Sequence, residues 1–407
     1  MKKKNKAIYL LFLMPFVYFA TACFVVWLVK TSGIYPSGSD TMYHVYRGDY
    51  VYNAIKSGNW YPLYDPAWYN GVEILRYWSP FPAYVMAFCQ YLAGGSQFGA
   101  YLFYIGGVCF LGACVWPFIG RGFNRPYLGA FIGLLWFFMP NNLCAIFIEG
   151  NLARSLSMIF LPVFIYSVYK YLYNHKLRYI PLMVFTFLLM ELCHLGYAGM
   201  VAIAVIIYGI VYIIQKGRKK AVLDVVISMI FGFMLLGIWL VASLRGGITS
   251  LDNSENMANF FQNLWITINP FERLTRGFEY FYFGFATLVV IVFGILFGYK
   301  KSRTGFVTGF IILLMTTKSA YAVLKHLPGS QYLWMLRFIS IALCMILMSF
   351  LMWDRLKKTL VLMLCVLLVV DTIPSLSLIV GEHNDISVQE RMAAVSYTHL
   401  RAHETSA

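Results

Sequence analysis

Apolar runs of about 20 residues recur along this chain of 407 residues, and they constrain its fold more than any other feature. A helical run of that length crosses roughly 30 Å of hydrocarbon. Hydrophobic residues make up 60% of the chain and charged residues only 12%, and the mean hydropathy is +0.69. The sequence does not show the alternating ten-residue segments that are typical of outer-membrane barrels. It therefore predicts an all-α protein, a polytopic bundle of transmembrane helices.

About eleven spans are predicted from the apolar runs. They cover residues 7–29, 98–120, 127–147, 154–174, 178–194, 197–215, 221–243, 279–299, 304–323, 336–353 and 359–379. A further apolar stretch, 80–95, is short, begins with two prolines and ends with two glycines. We interpret it as a re-entrant or surface-lying helix.

Short clusters of Lys and Arg between the spans predict the orientation. If 80–95 does not cross, every cluster lies on the same side as the basic start, Met1–Lys6. Because short cytoplasmic loops carry an excess of Lys and Arg, the N-terminus is predicted to be cytoplasmic. The longer polar loops, 30–79 and 244–278, then face outward. We therefore expect a multi-pass plasma-membrane protein whose working face is extracytoplasmic.

The basic clusters also account for the formal net charge of +15. The predicted partner is thus the lipid bilayer, and no nucleic-acid partner is indicated. The eight cysteines lie in or beside apolar segments, and none forms a CxxC pair. They are expected to pack between helices rather than to bind zinc or form disulfides.

The first polar loop carries an acid and a histidine directly after the first span. Asp40 and His44 are four residues apart at the start of a helix-compatible stretch, 41–56, so they share one face. Asp40 is predicted to be a general base or a metal-binding carboxylate. A helix N-cap is the structural alternative. His44 is predicted to be a second ligand, a proton relay or an interfacial ring.

The same loop is rich in aromatic residues. Trp60 and Trp68 are candidates for stacking on the C–H face of a sugar. Rings of this kind also occupy the headgroup zone of a membrane, which is the alternative interpretation.

Four further polar residues lie at outer ends of the predicted spans. Glu149 and Arg154 are costly at a membrane edge unless they are paired or hydrated, so they form either a structural ion pair or a substrate-facing pair. His194 is either a capping residue or a substrate-binding one. Arg337 either snorkels to the interface or binds a lipid-linked phosphate. Together these residues predict an outward cavity suited to a substrate that joins a phosphate to a neutral polar group.

Several short elements follow one another in the order of a known family. They are Gly58–Asn59–Trp60–Tyr61–Pro62, Tyr77–Trp78–Ser79–Pro80–Phe81–Pro82, Glu149–Gly150–Asn151, Cys193–His194–Leu195 and Leu336–Arg337–Phe338. Over about residues 1–380 the chain resembles bacterial membrane proteins of the 6-pyruvoyl-tetrahydropterin synthase-related type. These proteins are similar to GT-C glycosyltransferases and to YfhO-type proteins.

The resemblance implies a GT-C-like domain over 1–380 that transfers a sugar from a polyprenyl-phosphate donor to an extracytoplasmic acceptor. In GT-C enzymes an acidic residue of the first outer loop is essential for transfer, and by position this residue is Asp40. No Asp-x-Asp pair stands beside Asp40. The cofactor is therefore unknown, and a divalent cation at Asp40 stays open.

Two other classes of function remain open in the sequence. A transporter or lipid flippase needs polar residues at mid-membrane depth, and Asp371 is the best example. A non-catalytic protein of envelope assembly is the third alternative. After an outer segment, 381–395, the ending 396–407 resembles a translated sequencing adapter and is predicted to be non-native.

Overall fold

The computed structural model describes residues 2–33, 35–36, 38–68, 71–245, 261, 263–269, 282–327, 330, 333–353, 356–379 and 383–384. Most of the predicted outer loop 244–278 and of the segment 381–395 lies outside these residues, as does the whole tail 396–407.

The described part of the chain is almost entirely helical. In chain order the α-helices are α1 Lys2–Ser32, α2 Thr41–Lys56, α3 Ile74–Tyr77, α4 Phe81–Leu92, α5 Gln97–Gly122, α6 Pro126–Leu135, α7 Pro140–Phe147, α8 Leu152–Asn174, α9 Tyr179–Lys216, α10 Lys219–Leu235, α11 Gly237–Arg245, α12 Leu264–Ile268, α13 Phe285–Phe297, α14 Lys300–Met315, α15 Lys318–Leu324, α16 Phe338–Met352 and α17 Lys358–Thr372. Short 3-10 turns cover Trp136–Phe138, Met335–Arg337 and Ile373–Ile379. Two short strands, β1 Tyr35–Pro36 and β2 His383–Asn384, pair antiparallel.

Helices α8 and α16 form the centre of the bundle. In the most apolar stretch of each, 83% of the residues are buried in α8 and 89% in α16 with the 3-10 turn before it, against 28% in α1 and 33% in α17 with the 3-10 turn after it. The outer helices keep apolar side chains on their exposed faces, as lipid contact requires. Polar residues at the beginnings of α8 and α16 therefore lie at the ends of the two most enclosed helices.

Helix α9 is a hairpin of two arms. At one end of the pair, the Tyr179 ring lies 6.0 Å from the ring of Tyr166, and the Tyr212 hydroxyl donates to the Leu172 carbonyl at 2.6 Å. His194, between the arms, instead lies beside the start of α8. The first arm therefore runs antiparallel to α8 and the second parallel to it. The two arms cover the predicted segments 178–194 and 197–215, and a separate crossing of the membrane by each arm stays a prediction.

Among the described residues, six helices are long and apolar enough to cross a membrane, or up to eight if each of two bent pairs is counted as one span. The bent pairs are α6–α7, including the intervening 3-10 turn, with an angle of 44°, and α10–α11, with an angle of 62°. The prediction of a helical membrane protein is confirmed at this level. The finer figure of about eleven spans stays a prediction.

Helix α4 occupies the short apolar stretch 80–95. Its 12 residues extend about 18 Å at 1.5 Å per residue, which is less than the hydrocarbon thickness. Its buried face packs on α2 and α5, whereas Phe88 and Tyr91 are exposed. The surface or re-entrant position predicted for this helix is compatible with its length and stays a prediction.

Candidate functional site

The segment that begins α2 is attached to the turn preceding α8. The Ser39 amide donates to the Ile148 carbonyl at 3.1 Å, and the Asp40 amide donates to the Glu149 carbonyl at 2.9 Å. The Ser39 hydroxyl donates to the same Glu149 carbonyl at 3.0 Å. These bonds hold Asp40 against a turn that is more than 100 residues away in the sequence.

Two glycines make this contact close. A Cβ atom on Gly38 would lie 2.7 Å from the Gly150 Cα atom. A Cβ atom on Gly150, which has a φ of +62°, would lie 2.5 Å from the Thr41 amide nitrogen. Neither position has room for a larger residue without moving backbone, so glycine here sets how near Asp40 comes to Glu149.

Asp40 stands at the N-cap position of α2, but its carboxylate makes no capping hydrogen bond. The structure therefore shows the N-cap position of the structural alternative without its side-chain hydrogen bond. The side chain is half-buried, and desolvation raises the pKa of the Asp40 carboxyl above its ordinary value. Arg337 and Arg47 oppose this rise, and Glu149 adds to it. A carboxyl whose pKa is raised toward neutrality is a better proton acceptor than one left at its usual value.

His44 lies one helical turn after Asp40, and its amide donates to the Asp40 carbonyl at 3.2 Å. Desolvation lowers the pKa of the His44 imidazole well below its ordinary value, and the positive charges of Arg47 and Arg337 lower it further, as does His194. His44 is consequently neutral at physiological pH, and its protonation is disfavoured.

Glu149 lies between two arginines. Its Oε1 atom is 3.0 Å from Arg154 Nη1, and its Oε2 atom is 3.5 Å from Arg337 Nε. Arg154 has no exposed surface, and its Nη2 atom points at the Asn141 carbonyl, 3.5 Å away. The side chain of Arg337 is 11% exposed. Arg337 thus keeps some exposed surface, whereas Arg154 is fully enclosed beside Glu149.

His194 produces the turn of the α9 hairpin, with a φ of −156° and a ψ of 93°. Ser79 fills the break, because its hydroxyl accepts from the Leu195 amide at 3.3 Å and donates to the Glu191 carbonyl at 2.9 Å. The Tyr197 amide donates to His194 Nδ1 at 3.1 Å. The break is thus hydrogen-bonded on both sides, which fixes the direction of the imidazole ring.

The other ring nitrogen of His194 joins the polar residues into one cluster. Its Nε2 atom lies 3.4 Å from Asn151 Nδ2 and 3.3 Å from Arg337 Nη1. We call Asp40, His44, Glu149, Asn151, Arg154, His194 and Arg337 the polar cluster. It contains six of the eight residues proposed from the sequence.

The two tryptophans proposed from the sequence lie in different surroundings. Trp68 is parallel to Tyr43 and to Trp78, with ring centroids 5.6 Å apart in each pair. The Arg47 guanidinium stands 4.2 Å above the Trp78 ring and 5.4 Å above the Trp68 ring. Since Arg47 and Tyr43 belong to the helix of Asp40 and His44, this aromatic group adjoins the polar cluster.

Trp60 is 70% exposed. Its carbonyl accepts a hydrogen bond from the Tyr84 hydroxyl at 2.7 Å. None of the hydrogen bonds, ion pairs or ring contacts between described residues connects Trp60 with the polar cluster. The structure therefore does not bring Trp60 to the site.

The residues around Asp40 do not fit a bound divalent cation. In the described part of the chain, no three His, Cys, Asp or Glu side chains are grouped closely enough to hold a metal ion. Asp40 itself is influenced by two guanidinium groups, Arg337 and Arg47, whose charge repels a cation.

Two members of the site received no role from the sequence. Asn151 caps α8, with its side chain accepting from the Arg154 amide at 2.9 Å. The sequence does signal this cap, since an Asn after Gly150 precedes a long apolar run. Ser79 has no such signal, because only the folded chain brings it into the α9 break.

Asp371, the residue that best supported a transporter, has a structural role. Its carboxylate accepts from the Ala286 amide at 3.1 Å and from the Tyr282 hydroxyl. A Cβ atom on Gly284 would lie 2.1 Å from Asp371 Oδ2. Asp371 thus caps the beginning of α13.

The fold and the site together define a helical membrane protein with a polar cluster at one end of its bundle. Comparison with known proteins agrees with this class. A family model described as the 6-pyruvoyl-tetrahydropterin synthase related domain, a membrane protein, matches residues 75–379. The chain belongs to this family, as its sequence elements predicted. No curated protein and no solved structure matches it.

The matched range includes Glu149, Arg154, His194 and Arg337, but it begins after Asp40 and His44. The arginine part of the polar cluster therefore belongs to the family region. Asp40 and His44, the two members of the polar cluster in the first loop, lie outside the matched region.

Proposed function

We propose that this protein is a membrane glycosyltransferase that moves a sugar from a polyprenyl-phosphate donor to an extracytoplasmic acceptor. The observation that carries the proposal is the meeting of Asp40, a half-buried carboxyl with a raised pKa, with Arg337, a guanidinium that a ligand can reach. A sugar transfer needs these two groups, one to accept a proton and one to hold a departing phosphate.

In the proposed reaction, Asp40 takes the proton of the acceptor hydroxyl as its oxygen attacks the anomeric carbon of the sugar. The bond between that carbon and the phosphate oxygen breaks, and the phosphate leaves with the electron pair. Arg337 stabilises the negative charge on the leaving phosphate. The proton then passes from Asp40 to solvent, and His44, one helical turn away, stays neutral because burial and the nearby arginines lower its pKa.

The charge balance of the site supports an anionic substrate. Arg47, Arg154 and Arg337 face two carboxylates, those of Asp40 and Glu149, so one positive charge is in excess when both histidines are neutral. In this proposal Arg154 does not touch the donor and positions Glu149 instead. Glu149 in turn orients Arg337.

The aromatic group beside the cluster supports a sugar. Trp68, together with Tyr43 and Trp78, offers ring surface next to the helix that carries Asp40. We assign sugar orientation to Trp68. Trp60, which is exposed and separate, is assigned to the membrane interface.

We further propose a GT-C-like bundle of about eleven crossings in the plasma membrane, with a cytoplasmic N-terminus. The two arms of α9 support the higher number of crossings. Basic residues lie near the C-terminal end of α8, among them Lys170, Arg178 and Arg218, the last in contact with His175. Because Lys and Arg are in excess on the cytoplasmic side, these residues support a cytoplasmic position for that end of α8. The polar cluster at the opposite end of α8 would then face outward.

The test is a screen of labelled polyprenyl-phosphate sugars in membranes that contain the wild-type chain or a variant. Asp40→Asn keeps the shape of the side chain and removes the base, so transfer should fall by about a hundredfold or more. Asp49→Asn is the matched control, because Asp49 belongs to the same helix and binds the Gln90 amide, at 2.6 Å, instead of the cluster. Full transfer by Asp40→Asn would refute the proposal.

A further inference from the structure

Three hydrogen-bond donors in the polar cluster point at one another, and the identity of each can be fixed from its own partners. The first is Asn151. Its Oδ1 atom accepts from the Arg154 amide at 2.9 Å, so the amide group cannot be turned the other way. Its Nδ2 atom, a donor with no acceptor capacity, is therefore the atom that faces His194.

The second donor is His194. Its Nδ1 atom accepts from the Tyr197 amide at 3.1 Å and so carries no hydrogen. A neutral imidazole has one hydrogen, which must then be on Nε2. The Nε2–H group points toward Asn151 Nδ2 at 3.4 Å and toward Arg337 Nη1 at 3.3 Å.

The third donor is Arg337, since a guanidinium cannot accept a hydrogen bond. None of the three groups can donate to another, although His194 Nε2 lies within 3.4 Å of both Asn151 Nδ2 and Arg337 Nη1. Asn151 is 3% exposed, and the Nε atom of Arg337 already faces the Glu149 carboxylate at 3.5 Å, so it is the Nη1 atom of Arg337 that faces the donor of His194. Buried donors normally face an acceptor, and here the acceptor has to come from a ligand.

We infer that His194 Nε2, Asn151 Nδ2 and Arg337 Nη1 form an anion site that binds a phosphate oxygen of the polyprenyl-phosphate donor. Three converging donors, one of them charged, suit an oxyanion with several lone pairs. Glu149 lies at the Nε edge of Arg337, 3.5 Å away, and leaves the Nη1 edge for the ligand. The inference deepens the proposed function, on which it rests, by naming the donor-phosphate ligands.

Asn151→Asp is the decisive variant. The aspartate keeps an Oδ1 atom for the cap on the Arg154 amide, so α8 should begin as before. Its other oxygen stands where Nδ2 was and gives His194 and Arg337 an internal acceptor. The variant should therefore stay folded, with a Tm no lower than that of the wild type, and should exclude an external anion by occupying its donors and repelling its charge.

Binding is measured with the purified full chain in lipid nanodiscs, using no sugar and no acceptor. The probes are a polyprenyl phosphate, the polyprenol of equal chain length, and inorganic phosphate. The wild type should bind the phosphate lipid at least about tenfold more tightly than the alcohol, the effect expected of charge-assisted hydrogen bonds. Asn151→Asp should abolish that preference.

Ser96→Asp is the matched control, because Ser96 caps α5 through the Gly99 amide at 3.0 Å and is exposed. It adds the same charge at an N-cap remote from the three donors, so the tenfold preference should persist. If Asn151→Asp does not fold, Arg337→Gln removes the charged donor and should lower the preference in the same way.

Each remaining outcome refutes one statement. Equal binding of the phosphate lipid and the alcohol by the wild type, or an unchanged preference in Asn151→Asp, refutes the anion site. Inorganic phosphate that competes as strongly as the lipid phosphate refutes its assignment to the donor. A phosphate preference that Asn151→Asp removes, without any sugar transfer by the wild type, refutes the proposed function alone.

Discussion

Replacing Gly150 by alanine should detach Asp40 from the bundle while leaving the helices intact. The new methyl group would lie 2.2 Å from the Thr41 hydroxyl oxygen and 2.5 Å from the Thr41 amide nitrogen. The second contact is with backbone, so no side-chain rotation relieves it. The segment around Asp40 has to move away from the turn at Glu149.

The cost has two parts. Alanine in the left-handed region, at a φ of +62°, costs about 1 to 2 kcal/mol. Detachment also breaks the two hydrogen bonds that the backbone amides of Ser39 and Asp40 donate to the turn, at 3.1 and 2.9 Å. Each is worth about 1 kcal/mol net. The total destabilisation is about 3 to 4 kcal/mol, of which about 2 kcal/mol belongs to the attachment of Asp40.

Gly217→Ala separates the two parts. Gly217 ends α9 with a φ of +69°, and no atom lies within 4 Å of the place that a Cβ would take, so the substitution there carries only the backbone cost. Hydrogen exchange measured on peptides that contain Ser39 and Asp40 reports the attachment directly. About 2 kcal/mol corresponds to a loss of roughly thirtyfold in protection.

In Gly150→Ala the protection of these two amides should fall by that factor, and in Gly217→Ala it should stay at the wild-type level. Equal protection in all three proteins would refute the reasoning. It would mean that the contact between the two segments does not hold Asp40 in place.

Three further outcomes are expected. Arg154→Met should destabilise the protein by about 3 to 5 kcal/mol because Glu149 loses a buried partner. Arg76→Met, in a pair whose side chains are about one-third exposed, should cost no more than about 1 kcal/mol; similar losses in denaturant titrations would contradict the burial of Arg154. The folded state lowers the pKa of His44. Stability should therefore fall as the pH drops below about 6.5, the pKa of histidine in the unfolded chain. A His44→Gln variant with an unchanged pH dependence of Tm would refute this. Asp371→Asn should lower Tm and preserve phosphate-lipid binding, so a loss of that binding would show that Asp371 does more than cap α13.

Much of the polar cluster could be predicted from the sequence because of one physical constraint. Charged residues are tolerated at the ends of membrane helices rather than at their centres. Residues such as Glu149, His194 and Arg337, each predicted at the same end of a span, therefore had few other places to lie. This constraint predicts at which end of the bundle the charged residues lie, and the fold determines which of them are in contact.

The constraint does not give the neighbours of each side chain. Arg154 and Arg337 look alike in the sequence, yet only Arg337 keeps exposed surface in the fold. Arg154 lies at the start of α8 and Arg337 in the 3-10 turn before α16, and they contact different oxygens of Glu149. The approach of Asp40 depends on two glycines that lie 112 residues apart, which no local pattern connects. Trp60 and Trp68 likewise share a composition and differ only in what the folded loop places beside them.

The turn at His194 has a consequence for how the length of this chain can vary. The two arms of α9 reverse over a single non-helical residue, whereas the opposite ends of the arms meet ordinary connections near Gly217. The connection near Gly217 can accommodate an inserted residue. At His194 an inserted residue would rotate one arm by about 100° against the other. Natural relatives should therefore differ in length at Gly217 and agree at His194.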